Sequence, residues 1–407
     1  MSLNRPWMSF AHITNSGARG NDIGIISAMV DWDKVRKDFP ISENSVYFQS
    51  AAMSPLASPV FEAIIGEYRK LCLYGDVNWK DDMARFEKLC ASLAELLNAQ
   101  PSDVTFVQNT STAMSLLALS FKNQVKKPFH IVSMKDEFPA STIGFEYQNV
   151  EMRYVEPVDA RYPIDSILDM TNDETLAVVT SQVQYATGFR QDVSALGQEL
   201  KRRGIMFIVN STQAFPYFPV DAKASSIDVL TASLHKWGLT GHIGTMFFTT
   251  AEFRERFPSP IAGWLSVDTE GGSFIHTAKN VPFRLLRSAR RYEFGTFNLQ
   301  PLLAFEKALD FIKAIGIENI QQRLFELTDY LIQGLKNLKV TIVSPVARRE
   351  ERSAIVCFTL GDRNKAFVKK CADEGIFITL RNGNIRVSVN IFNNYADIDR
   401  LLEALKE

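Results

Sequence analysis

From residue 104 onward, short runs that are apolar at almost every position alternate with polar or amphipathic stretches of helical length. The runs fall at 104–107, 130–134, 176–180, 205–209 and 228–232, and 192–203 is one of the helical stretches between them. A strand apolar on both faces must be covered on both, and strands of that kind alternating with helices predict a mostly parallel α/β sheet. Near Asn298 the pattern changes. Two long helical periodicities, 300–315 and 317–337, precede strands near 339–343, 353–359, 376–380 and 384–389. A helix over 366–374 and a last one bearing Ile398, Leu401, Leu402 and Leu405 complete the region, which reads as a smaller α+β domain.

A chain of 407 residues exceeds what one hydrophobic core supports, so two domains are expected. The larger covers 31–298, its opening stretch able to join the smaller domain at 299–407, and residues 1–30 form an N-terminal extension. Within that extension, 15–21 is rich in Gly, Asn and Ser and reads as an arm. Ser58 followed by Pro59 reads as a capping hydroxyl before a first-turn proline. Met83, Phe86, Cys90, Leu93 and Leu97 mark one buried helix face, which makes Cys90 core.

Composition excludes several classes of function. A net charge of −1 gives no electrostatic case for nucleic acid or an anionic membrane as a partner. No apolar run is long enough to span a bilayer, and the first thirty residues lack the layout of a secretory signal. Cys72, Cys90, Cys357 and Cys371 have neither metal nor redox spacing, and the histidines show no metal-ligand pattern, so no metal is expected and a reducing cytoplasm is the expected location.

In doubly wound sheets ligands bind beyond the carboxyl ends of the strands, so the residues at those ends carry the chemistry. Gln108-Asn109-Thr110-Ser111-Thr112 follows the first run and opens a helix, suiting either an ordinary cap or a bound phosphate. Asp136-Glu137-Phe138 follows the second, and Phe138 is either core or a stacking surface for a planar ligand. Ser181–Gly188, with Tyr185, and Asn210-Ser211-Thr212-Gln213 follow the next two. The last run ends in Ser233-Leu234-His235-Lys236-Trp237-Gly238. Lys236 is either a strand-end lysine reaching for water or a desolvated amine suited to Schiff-base chemistry. One polar strand end is unremarkable; five in sequence order point to a polar ligand.

These motifs, in this order from about residue 31 to the end of the chain, resemble the class V aminotransferases of the fold-type I pyridoxal-phosphate enzymes, a group with cysteine desulfurases, selenocysteine lyases and isopenicillin N epimerase-like proteins. The resemblance implies a seven-stranded-type sheet, pyridoxal 5'-phosphate as cofactor, a small-molecule amino-acid substrate and a homodimer. It implies that Lys236 carries the cofactor, that Ser233, His235, Thr110, Ser111 and Thr112 bind its phosphate, and that Phe138 stacks on its ring. Gln213 and Tyr185 match positions that hydrogen-bond the cofactor phenolate. Arg291-Tyr292-Glu293-Phe294-Gly295-Thr296 is similar to a segment whose Gly295-Thr296 equivalent reaches the phosphate in the partner subunit. Arg386 matches the arginine that clamps the substrate carboxylate, a task suited to the guanidinium fork.

Two departures shape the expected chemistry. Asn210 stands where the family has an aspartate that keeps the pyridine nitrogen protonated, and losing such a partner shifts a paired group by roughly 1–3 pKa units. The resemblance also implies a reactive cysteine on a loop in the desulfurases, whereas Arg381-Asn382-Gly383-Asn384 joins the two strands directly. A lyase- or epimerase-type reaction without a catalytic cysteine is therefore expected. Ordinary transamination is the alternative, and a cofactor-binding protein with little catalysis is the alternative from another class. The arginines at 284, 287, 290 and 291 read most economically as serving a cofactor phosphate, a substrate anion or a subunit contact.

Overall fold

The computed structural model describes residues 30–269 and 282–406. The Gly-, Asn- and Ser-rich arm falls at 15–21, outside the described residues. Trp32–Glu407 forms one compact unit. The large sheet has seven strands: β1 (Val104–Val107), β2 (His130–Met134), β3 (Glu151–Val155), β4 (Thr175–Ser181), β5 (Met206–Asn210), β6 (Val229–Ser233) and β7 (Thr245–Thr249). Their spatial order is β1-β7-β6-β5-β4-β2-β3. Only β7 opposes its neighbours; β6, β5, β4, β2 and β3 pair in parallel, and β1 shares their direction. Each strand but β3 is buried at every position, as the unbroken apolar runs require.

Two strands of the large sheet have no counterpart among the predicted runs. β3 is an edge strand, Glu-Met-Arg-Tyr-Val, with only Val155 buried, so it carries no continuous apolar signal. β7, Thr-Met-Phe-Phe-Thr, is fully buried but has two polar ends and follows a glycine-rich turn instead of a helix. A second difference concerns Ser58. The helix Ser58–Tyr74 begins one residue earlier than expected, Ala57 holds the cap position, and no side chain caps it. Asn109 does cap the helix Thr110–Gln124, accepting from Thr112 N–H at 2.8 Å.

The C-terminal part holds a four-stranded antiparallel sheet of β8 (Thr341–Ile342), β9 (Ile355–Thr359), β10 (Thr379–Arg381) and β11 (Asn384–Ser388), ordered β8-β9-β11-β10. The predicted 376–380 strand splits in two: Ile376–Phe377 leaves this sheet and pairs in parallel with Val46–Tyr47. The amino-terminal segment is thus stitched to the carboxyl-terminal one. Ser388 Oγ donates to Phe48 O at 2.8 Å and accepts from Ala51 N–H at 3.0 Å. Arg36 forks onto both oxygens of Asp397 at 2.7 and 3.0 Å, and Asp397 also completes a capping box with Asn394.

Asp397 is 4% exposed, so truncating it leaves Arg36 without its anion and the last helix without its box. Asp397→Ala should lower stability by about 3 kcal/mol, the cost of breaking a buried pair, read as a shift in urea midpoint. A shift below a third of that would show the stitch to be decorative.

Candidate active site

Parallel strands deliver their carboxyl ends to one edge of the sheet, and there a cavity of about 310 Å³ opens. It is lined from the ends of β1 (Thr110, Ser111), β2 (Phe138), β4 (Ser181, Tyr185), β5 (Asn210, Gln213) and β6 (Ser233, His235, Lys236), and on the far side by Arg381 and Arg386 of the small sheet. The turn after β6 is tight: Gly238 N–H returns to Leu234 O at 2.9 Å, and a Cβ at 238 would meet that oxygen at 2.6 Å. Glycine at 238 therefore lets the chain turn and leaves the Lys236 side chain facing the cavity.

Lys236 is 9% exposed, and no hydrogen bond or ion pair reaches its Nζ among the described residues. The amine lies 5.2 Å from the centre of the Phe138 ring. Burial, then the positive charges of Arg386 and Arg381, lower its pKa to about 7. A desolvated amine beside two like charges is largely uncharged just above neutrality, the state that attacks a carbonyl. His235 is pushed down to about 4 by burial and by the charges of Lys236 and His242, so it is a neutral imidazole in the working range.

Hydroxyls crowd the end of the cavity at the helix start. Ser233 Oγ bonds to Thr110 Oγ1 at 2.9 Å and to Thr245 Oγ1 at 2.7 Å, while Ser233 N–H donates to Thr212 Oγ1 at 3.0 Å. Together with the free N–H groups and dipole of the helix Thr110–Gln124, they make a cradle for an anion. Thr112 is engaged by Asn109 and does not line this cavity. It lines instead a neighbouring one of about 700 Å³ that also takes in Gly295 and Thr296 and shares Asn109, Ser233 and His235 with the first.

Asn210 and Gln213 stand at the end of β5 with fixed amides. Asn210 Nδ2 donates to Ser141 Oγ at 3.0 Å and its Oδ1 accepts from Thr212 N–H at 3.1 Å. Gln213 Nε2 donates to Ala51 O at 2.9 Å, and its Oε1 accepts from Trp237 Nε1 at 3.1 Å. Phe138 and Tyr185 meet edge to face, ring centres 5.2 Å apart. Arg386 is 1% exposed; Nε donates to Thr379 Oγ1 at 3.2 Å and Nη1 to Tyr185 O at 2.9 Å, while Nη2 has no partner among the described residues. A guanidinium built in with one N–H edge unpaired is a site for an anion.

Glu137 is a functional candidate that the sequence reading quoted without a role. Buried behind the cavity wall, its carboxyl accepts from Ser181 N–H (2.7 Å), Ser181 Oγ, Phe138 N–H (2.8 Å) and Gln184 Nε2 (3.4 Å). Desolvation raises its pKa. It ties the Phe138 segment to β4; its only sequence signal is a carboxylate at a strand end. Three of the four arginines of the basic cluster have protein partners, and none of the four lines this cavity. Arg291 is buried and donates to the carbonyls of Leu286 and Arg254, Arg290 pairs with Glu87 and Glu293, and Arg284 with Asp268.

An uncharged buried amine, an anion cradle at a helix start, an aromatic face and an orphaned guanidinium at one sheet edge fit pyridoxal phosphate and an amino-acid carboxylate. The fold is that of the fold-type I pyridoxal-phosphate enzymes. The model of the aminotransferase class-V family matches residues 46–401, and the chain belongs to that family. It is 25% identical over 404 residues to a probable cysteine desulfurase of Pyrococcus abyssi, spanning 92% of this chain and 97% of that protein. It is 27% identical over 294 residues to an uncharacterized aminotransferase of Bacillus subtilis, spanning 72% and 76%. Among solved structures it resembles a cysteine desulfurase from Thermococcus onnurineus (TM-score 0.84, 20% identity, 94% and 98% covered). A cystine C–S lyase in complex with its product cysteine persulfide is similarly close (TM-score 0.81, 19% identity, 91% and 99% covered).

The depressed pKa of Lys236 has a direct readout. In protein stripped of cofactor, competitive acetylation followed by mass spectrometry of the Lys236 peptide should rise through about pH 7 and level off above it. The amine is protonated below that value and free above it. Arg386→Gln removes a nearby positive charge and should move the midpoint upward. A profile that continues to climb near pH 10 would mark an ordinary lysine.

Proposed function

We propose that this enzyme acts at the α-carbon of an amino acid in a lyase- or epimerase-type reaction that uses no cysteine. The observation that carries the reading is the company Lys236 keeps: a base poised near neutrality, a carboxylate clamp in Arg386, and no cysteine in the cavity wall among the described residues. Pyridoxal phosphate, when bound, withdraws electrons from the substrate α-carbon and so acidifies its hydrogen. Arg386 Nη2 would bind the substrate carboxylate, Phe138 and Tyr185 would flank the cofactor ring, and the Thr110–Ser233 hydroxyls and Ser111 would hold its phosphate. Lys236 Nζ takes the α-hydrogen and returns it, to the same face, the opposite face or another atom.

The cysteines support this reading. Cys357 is buried, its thiol pushed up to about 12 by desolvation, and donates to Ala186 O. Cys371 is buried and pushed up to about 11, and burial raises Cys90 further. Thiols held protonated are poor nucleophiles. Cys72 is exposed on the helix Ser58–Tyr74 and lines neither cavity. The 381–384 turn is too short for a mobile cysteine-bearing loop.

Asn210 favours a second reading, a cofactor-binding protein with little catalysis. Among the described residues no carboxylate lines the cavity to replace the missing counter-charge, since Glu137 lies behind the wall with its oxygens occupied. Exchange of the α-hydrogen in deuterated water across an amino-acid panel separates the two, and transamination shows itself as keto-acid release. At least one amino acid should exchange, Lys236→Ala should abolish exchange and the cofactor's absorbance near 410–430 nm, and Asn210→Asp should accelerate exchange tenfold or more, about one pKa unit of sink strength. Bound cofactor with no exchange by any amino acid favours the non-catalytic reading.

We further propose a homodimer. Phe61, Ile65 and Tyr68, with Cys72, form an exposed stripe along Ser58–Tyr74. The Gly295–Thr296 cavity opens beside the phosphate cradle, where a second copy would complete it. Phe61→Glu with Tyr68→Glu should halve the mass in sedimentation; an unchanged mass rejects this face as the interface.

A further inference from the structure

One α-carboxylate and one phosphate do not account for the charge that lines the cavity. Lys236, Arg381 and Arg386 all face it, and among the described residues no carboxylate does. The phosphate has its own cradle of hydroxyls and helix N–H groups, with which Arg381 makes no hydrogen bond, and the α-carboxylate has the orphaned edge of Arg386. Arg381 is left over.

The register of the β10–β11 hairpin explains why it is there. Thr379 stands opposite Arg386 and Arg381 opposite Asn384, so the two arginines are diagonal neighbours on one face of the hairpin. Diagonal positions lie about 7 Å apart, close enough for long side chains to serve one ligand and far enough for two separate groups of it. Arg381 donates one N–H, from Nη1, to Leu380 O at 2.8 Å and has no ion pair among the described residues. A carboxylate does stand near the hairpin tip: Asp136. It accepts from Asn382 Nδ2 and Tyr162 OH, each at 3.2 Å, and not from Arg381. Asn382 also accepts from Tyr185 OH at 3.2 Å, so the tip that bears Arg381 is pinned to the cavity wall. A pinned guanidinium with free N–H groups is preorganised for a ligand anion.

We propose that Arg381 is a specificity-determining residue and that the substrate is an α-amino acid whose short side chain ends in a second carboxylate. The inference rests on the amino-acid chemistry proposed above. Arg386 takes the α-carboxylate and Arg381 takes the side-chain anion, which orients the side chain away from the phosphate cradle. Arg381 and Arg386 line one cavity as diagonal neighbours on the hairpin, a spacing that suits a side chain of aspartate or glutamate size. The same surplus of positive charge rejects lysine- and arginine-like substrates.

Calorimetric titration of the cofactor-loaded enzyme tests this with L-aspartate and L-glutamate against L-asparagine and L-glutamine. The acids should bind about tenfold or more tightly than their amides, the size of one charge-assisted hydrogen bond. Arg381→Gln should weaken the acids by about the same factor and leave the amides unchanged, so the preference collapses; Arg381→Lys should restore part of it. Retained cofactor absorbance in both variants establishes that they fold. Equal binding of acids and amides by the unmodified enzyme overturns the proposal, as does an Arg381→Gln variant that weakens both alike, which would make Arg381 a second clamp on the α-carboxylate. Failure of all four amino acids, and of the wider panel, to bind overturns the amino-acid reading itself.

Discussion

Six strands of the large sheet run in one direction, and the chemistry of this protein depends on that shared direction. It is why residues as far apart in sequence as Thr110, Phe138, Tyr185, Asn210 and Lys236 arrive at one edge. The single opposed strand, β7, sits between β1 and β6 and brings Thr245 Oγ1 against Ser233, so that even the exception supplies a hydroxyl to the phosphate end. The small sheet then places two guanidinium groups across the opening. Neither sheet holds a site alone.

Much of this was legible in the chain because burial on both faces leaves no room for polar residues. The buried strands β1, β2, β4, β5 and β6 read as apolar runs, and the polar residues at their ends became visible as interruptions. Where burial is one-sided or the neighbouring segment is a turn, the signal fades, as with β3 and β7. The site was legible in the same way: a lysine or an asparagine after an apolar run stands out, whereas Glu137 and Arg381 look like ordinary surface charges. Their importance depends on partners and on the lack of them, which is a tertiary property. Ser58 shows the converse, a locally plausible cap that the fold begins one residue too early to use.

The electrostatics of the site run in one sense. Lys236 is uncharged near neutrality because it is dry and faces two arginines, and His235 is neutral for similar reasons. Asn210 supplies no negative charge, and Glu137 lies behind the wall with its oxygens taken. The protein therefore offers its ligands neutral bases and positive clamps. A cavity lined in this way favours anionic ligands, and among the described residues it is the ligand that has to bring the negative charge.

The stitch between the two ends of the described chain has a bearing on how the protein is made. Ala51 lines the cavity and accepts from Gln213, yet its own N–H is held by Ser388, and the strand before it pairs with Ile376–Phe377. A growing polypeptide can complete the seven-stranded sheet long before residues 376–388 leave the ribosome. Until then the segment around Ala51 has no partner, and both arginines of the cavity are still unmade. The pocket in its finished form therefore requires residues 376–388 to have been made.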